Sequence, residues 1–250
     1  PQNYASADAS DATQPYSPPE PSGFLPEIPY EYYPWVYTAK IAITLLAMLA
    51  VSGGYLAFPW KVSWLSVVVG VVGVVLWIVL CNLQLEVKVV EPIDRFLGSA
   101  LLTFEQEETP SIGLMSLIGA GERPAFNPLE QLAATPVWAY IFLAIRFTGL
   151  ALIVPVIEEF FLRGFVMRYV MQPDWWKVPI GDVNRTAVIL GTAIPMLMHP
   201  GELLAAFVWF SMVTWMMVRT RNIWDCVVAH AITNLLLGIY VVTTGNWQLI

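Results

Sequence analysis

Three ionisable residues stand within six positions of one another at the end of a long apolar run. Pro136 to Ile157 is broken by one charge, Arg146, and leads into Glu158-Glu159-Phe160-Phe161-Leu162-Arg163. A charge at mid-membrane costs roughly 2.5–3.5 kcal/mol on insertion scales, so such a cluster persists only where the groups pair or line a wet cavity. Glu159 and Arg163 are four residues apart and share one helix face, which suits an ion pair. Glu158 sits about 100° around the same helix. It can face a different neighbour and stay free for general-base chemistry. Pro155, one turn earlier, lacks a backbone donor, so a freed carbonyl and a kink are expected there.

The chain has only two histidines, and both fall in apolar segments. His199 closes one segment just before Pro200-Gly201. His230 lies in the last segment with Asn234 one turn on, so these two share a face. Two glutamates, two histidines and an asparagine are the parts needed to activate a water and to hold an oxyanion. Glu158, His199 and His230 could equally ligate a divalent metal such as zinc. No His-Glu-x-x-His pair is present, so the usual zinc-protease motif is absent. Neither a Gly-x-Ser-x-Gly turn nor a glycine-rich phosphate loop occurs. The blander reading treats the same polar residues as hydrogen-bonding glue between helices, which would suit a scaffold or accessory subunit. Arg146, about three turns before Glu158, could bind a substrate carboxylate or snorkel, and a structural or lumen-facing role is the favoured reading.

The elements that must carry these residues are membrane helices. Of the 250 residues 57% are hydrophobic and 12% charged, against about 25% charged in soluble domains, and the mean hydropathy is +0.63. Apolar segments near the ~20 residues needed to cross a bilayer fall at about 35–58, 63–85, 136–157 (with a continuation to 171), 186–198 (short), 202–218 and 223–242. In lipid every backbone group must be paired, so these runs are expected to be helices. The fold class is therefore all-α integral membrane, with about six transmembrane helices. Apolar residues at helical spacing over 93–104 suggest an interfacial helix between the second and third.

Residues 1–34 are rich in proline and acids and hold no Lys or Arg, which reads as a loosely ordered tail. Residues 35–135 form an N-terminal module of two membrane helices plus a polar stretch. Residues 136–250, which carry the acids, both histidines and Asn234, are expected to form the core that would do the chemistry. With the tail outside, Lys61, Arg163, Arg168, Lys177, Arg185, Arg219 and Arg221 fall inside, against Lys88, Arg95 and Arg123 outside. The positive-inside rule then favours an outer N-terminus. Trp35, Trp60, Trp64, Trp175, Trp176, Trp224 and Trp247 lie near segment ends, as interfacial belts would have them. The net charge of -7 argues against nucleic acid as a partner. Cys81 and Cys226 both sit in apolar runs and read as small buried hydrophobes.

Glu158-Glu159-x-x-x-Arg163, then His199, then His230-x-x-x-Asn234, in that order on successive helices, resembles the CPBP family of CAAX-protease and bacteriocin-processing (Abi) membrane proteins. One position departs: the family's Phe four residues before the first histidine is Pro195 here, which puts the shape of that segment in question. Tyr33-Pro34, Arg163-Gly164-Phe165, Lys177-Val178-Pro179 and Arg219 through His230 further resemble the exosortase-associated subgroup, which accompanies bacterial surface-protein sorting systems. The resemblance implies an intramembrane endopeptidase of a bacterial inner membrane. It implies a membrane-associated protein or peptide as substrate and an exosortase system as a partner. It gives Glu158, aided by His199, the activation of water. His230 and Asn234 would hold the oxyanion, and Glu159 and Arg163 would shape the site. It leaves open whether the mechanism is metal-free or uses a metal.

Overall fold

The computed structural model describes residues 31–101 and 125–250. The expected tail thus lies almost wholly outside the described residues, as do 102–104 of the expected interfacial helix. The described chain is all-α and is that of an integral membrane protein. Its helices are α1 (Tyr33–Ala50), α2 (Ser52–Leu56), α3 (Trp64–Leu83), α4 (Leu85–Leu101) and α5 (Pro128–Gln131). Then comes a continuous rod, α6 (Pro136–Tyr169). It is followed by α7 (Arg185–Leu197), α8 (Leu203–Thr220) and α9 (Ile223–Thr244).

Five helices among the described residues are long and apolar enough to cross a membrane: α1, the stretch Trp64–Leu97, α6, α8 and α9. The fourth expected segment is different. α7 has 13 residues, so it is about 20 Å long at 1.5 Å per residue, short of a ~30 Å hydrocarbon core. Its ends are set locally. Asn184 starts it by accepting from Ala187 N at 2.8 Å, and past Leu197 the turn through Gly201 adopts φ +83°. α7 and α8 therefore form a hairpin whose turn carries His199.

The core lies where α3, α8 and α9 meet, around Phe210, Val213, Met216 and Val241. Gly73 makes this approach possible: a Cβ there would stand 2.2 Å from the Trp209 ring. α1, by contrast, buries only Pro34 and Ile41 fully, as expected of a helix whose solvent is mostly lipid.

One end of the bundle is tied by polar contacts. Asp225 Oδ1 accepts from Ser63 N at 2.6 Å, and Asn222 donates to the Lys61 carbonyl. Arg221 pairs with Asp182 at 3.4 Å. The linker before α3, the loop before α7 and the α8–α9 turn thus share an end, and Lys61, Lys177, Arg185, Arg219 and Arg221 are exposed there. Arg163 and Arg168 need a correction, because both are buried. Arg168 donates to the carbonyls of Gly164, Trp176 and Val178. Towards the other end, Glu86 Oε1 accepts from Leu204 N at 2.7 Å, an anion at the positive end of α8. The tryptophan belt also needs trimming. Trp35, Trp60, Trp64 and Trp176 are exposed, but Trp224 and Trp247 are buried, and Trp224 donates its indole N–H to Phe58 O at 3.2 Å.

Candidate active site

The rod α6 carries the acids, and its backbone is irregular on both sides of them. α-Helix gives way to π-helix at Gly149–Ile153 and again at Phe160–Val166, with only Val154–Glu159 in α register between. Single-turn π-bulges of this kind are frequent at functional sites. The first has a readable cause. Val154 N pairs with Gly149 O, so in that register residue 155 would pair with Leu150 O. Pro155 has no N–H to offer. Asn234 on α9 fills the gap, donating from Nδ2 to Leu150 O at 2.9 Å. Because the partner is a carbonyl, the amide nitrogen must face it, and one of its two N–H groups remains for other use. The carbonyl expected to be freed by Pro155 is thus the one that orients Asn234.

Glu159 and Glu158 take opposite roles. Glu159 is fully buried. Its Oε2 lies 3.2 Å from Arg163 Nη1, the i, i+4 pair expected, and its Oε1 lies 2.9 Å from His230 Nδ1. The approach to Oε2 is close but off hydrogen-bond alignment, and Arg163 donates to Oε1 instead at 3.4 Å. Arg163 is held from α8 by Phe210 O at 3.3 Å and Thr214 Oγ1 at 3.4 Å, with the Phe210 ring 5.4 Å from its Cζ. A buried charge pair survives only with such added partners. Glu158 keeps 23% of its side chain accessible, and its Oε2 is 4.0 Å from His230 Nε2. His230 therefore bridges the two acids, fixed on its Nδ1 side by the buried one and turned on its Nε2 side towards the accessible one.

His199 is oriented by a backbone group. Its Nδ1 lies 2.7 Å from Pro195 O; a carbonyl oxygen only accepts, so Nδ1 carries the proton and Nε2 is the open nitrogen. Trp77 and Phe210 pack against its ring, with centroids 5.7 and 5.5 Å away. The departure at Pro195 leaves the helix intact to Leu197, and it is the carbonyl of residue 195, independent of its side chain, that aims the histidine.

Glu158, His199, His230 and Asn234 all line one cavity of about 290 Å³. Trp77, Leu150, Trp209 and Phe210 supply much of its apolar wall, and Gln248–Ile250 supply a further part. Of the residues singled out from the sequence, Glu159 and Arg163 stand behind the cavity, and Arg146 is outside it. Arg146 is buried and donates to Phe126 O at 2.8 Å and Ile250 O at 3.0 Å, so its structural reading holds. Sequence reasoning missed Thr214, Trp77 and the 248–250 segment. A lone threonine or tryptophan in an apolar run carries no signal of its own. Among the described residues no group of three or more His, Cys, Asp or Glu is placed to hold a metal ion. The metal candidates Glu158, His199 and His230 do not form one.

Fold and site together define a polytopic membrane protein with a carboxylate–imidazole cluster on a cavity inside its helix bundle. Residues 136–236 match the family described as type II CAAX prenyl endopeptidase Rce1-like, which supports the likeness of that region to CAAX proteases. No curated protein and no solved structure matches the chain.

Proposed function

We propose that the chain is a CAAX-type intramembrane endopeptidase. In this reading it hydrolyses a peptide bond of a membrane-associated protein or peptide, with water activated by Glu158. The observation that carries it is the division of labour between adjacent acids. Glu159 is buried and paired with Arg163 and His230, while Glu158 faces the cavity with no hydrogen bond holding it among the described residues. Glu158 takes a proton from a water held jointly with His199 Nε2, and the water oxygen attacks the scissile carbonyl carbon. His230 Nε2, in its doubly protonated form, and the remaining N–H of Asn234 donate to the oxyanion. The C–N bond then breaks, Glu158 passes its proton to the leaving amine, the new carboxylic acid gives up its remaining water-derived proton to that amine, and a carboxylate and an ammonium depart.

The test is cleavage of membrane-tethered peptides by the protein in liposomes. Glu158→Gln should lose turnover by at least ~10²-fold, within the range assigned to general-base catalysis, while unfolding at the wild-type temperature. Wild-type turnover in that variant would overturn the assignment. A second reading, a membrane scaffold or accessory subunit, draws on the Glu159–Arg163–Thr214–His230 network. That network ties α6, α8 and α9 together as structural glue would. It predicts that Glu158→Gln acts through stability alone. The subgroup resemblance points to a surface-protein sorting system as the source of substrate; accumulation of an uncut sorted protein in cells carrying Glu158→Gln would support that.

A further inference from the structure

The cavity has one wall that is not built from the membrane helices or the turn joining α7 to α8. Gln248, Leu249 and Ile250, beyond the end of α9, line it beside Glu158 and His230. They lie outside the matched region 136–236. Their position is fixed from below. Trp247 is 5% exposed, and Arg146 reaches from α6 to both ends of the segment. Its Nη2 donates to Ile250 O at 3.0 Å, and its Cζ lies 5.8 Å from the Trp247 ring. Nη1 is anchored in turn on Phe126 O at 2.8 Å. A buried guanidinium in a membrane rod is costly to keep, and here it bridges the main-chain oxygens of Phe126 and Ile250, which ties down the 3-10 turn Trp247–Leu249 and the residue after it.

The size of the cavity gives this wall its meaning. At about 290 Å³ it stands at the lower edge of the ~300–1,000 Å³ usual for ligand sites. A few methyl groups on the wall therefore decide which substrate side chain enters. The helix-borne apolar walls join the rings of Trp77, Trp209 and Phe210 to Leu150, Val154 and Leu237. Leu249, the last residue of the 3-10 turn Trp247–Leu249, and Ile250 after it are half-buried aliphatic side chains outside the membrane helices.

We propose that the segment Trp247–Ile250, clamped by Arg146, is the specificity wall of the active-site cavity. In this proposal Leu249 and Ile250 limit the apolar side chain that a substrate presents next to the scissile bond. The proposal rests on the endopeptidase reading, and its test separates the two. Full-length protein in liposomes is given a set of membrane-tethered fluorogenic peptides that vary from Ala to Val, Leu and Phe beside one bond. The same peptides are also bound, without turnover, to the Glu158→Gln protein. Leu249→Ala and Ile250→Ala should each move the Phe-to-Ala preference by roughly tenfold, the scale of a methylene or two in an apolar pocket. The shift should appear in KM with kcat little changed, and equally in the binding series made in the Glu158→Gln background. Arg146→Gln should flatten the preference across the whole set. Unchanged relative rates and affinities in both alanine variants would overturn the wall. A shifted binding preference in a protein that cleaves nothing would keep the wall and sink the endopeptidase reading.

Discussion

At the residue scale, two neighbouring glutamates are made different by what surrounds them. Glu159 has given up its freedom: Arg163, His230 and the α8 contacts of Arg163 enclose it completely. Glu159→Gln removes the only carboxylate that Arg163 touches among the described residues, leaving a buried cation without its counter-ion. That should cost about 3–5 kcal/mol, seen as a large drop in unfolding temperature in detergent. Glu158→Gln, on a partly accessible side chain, should leave that temperature almost unmoved. A result in which both variants lose stability equally would undo the division of roles. Thr214 belongs to the same chain of contacts at one remove. Its loss in Thr214→Ala takes away one 3.4 Å contact and should cost no more than about 0.5–1.5 kcal/mol.

At the scale of elements, the irregular rod α6 and the tight seam of α3 place the groups. Asn234 and Pro155 are coupled through Leu150 O. Asn234→Ala should destabilise by about 1–3 kcal/mol, because it orphans a carbonyl in an apolar surround. In the Pro155→Ala background the restored N–H can take that carbonyl, so the same Asn234→Ala change should cost measurably less. A double-mutant cycle in thermal unfolding reads the coupling, and an additive cycle would refute it. Gly73→Ala sets two effects against each other. Helix propensity favours alanine by up to ~1 kcal/mol, but the added methyl meets the rigid Trp209 ring at 2.2 Å, and overpacking costs ~1–3 kcal/mol. Net destabilisation is expected, with loss of the Trp209 contact visible in its fluorescence.

Much of this scale is legible in the sequence. The Glu159–Arg163 face, the shared face of His230 and Asn234, and the carbonyl released by Pro155 all follow from spacing along one helix. What spacing cannot supply is the partner across the gap. Nothing in the order of residues says that the carbonyl freed by Pro155 will be met by Asn234, some eighty positions away. Nothing says either that Arg146 will seize Ile250 O, or that Pro195 will aim His199 through its carbonyl. The short α7 is foreshadowed by its few apolar residues, but its pairing with α8 as a hairpin depends on the Gly201 turn. Trp224 and Trp247 sit near helix ends in sequence yet are buried, because position along a helix does not reveal which face a neighbour covers.

At the scale of the whole molecule, charge is distributed by end. Lys61, Lys177, Arg185, Arg219 and Arg221 are exposed where the α3 linker, the loop before α7 and the α8–α9 turn meet. Lys88 and Arg95 lie past the far end of α3 among Glu86, Glu91 and Asp94, and Arg95 is already paired with Glu91. Basic residues resist translocation whereas acids count little, so the crowded basic end is expected in the cytoplasm and the start of α1 on the outer side. Burial of Arg163 and Arg168 removes them from the count without reversing it. Single cysteines read the orientation in a background lacking Cys81 and Cys226. Lys61→Cys and Lys177→Cys should react with a membrane-impermeant maleimide only after the cells are permeabilised, and Arg95→Cys should react in intact cells. The opposite labelling would invert the protein. It would also move the segment Trp247–Ile250, which follows α9 at the end away from the basic cluster, from the outer side of the membrane to the inner one. The outward placement predicts that the scissile bond is approached from outside, so a water-soluble quencher added to intact cells should reach a fluorophore at position 248.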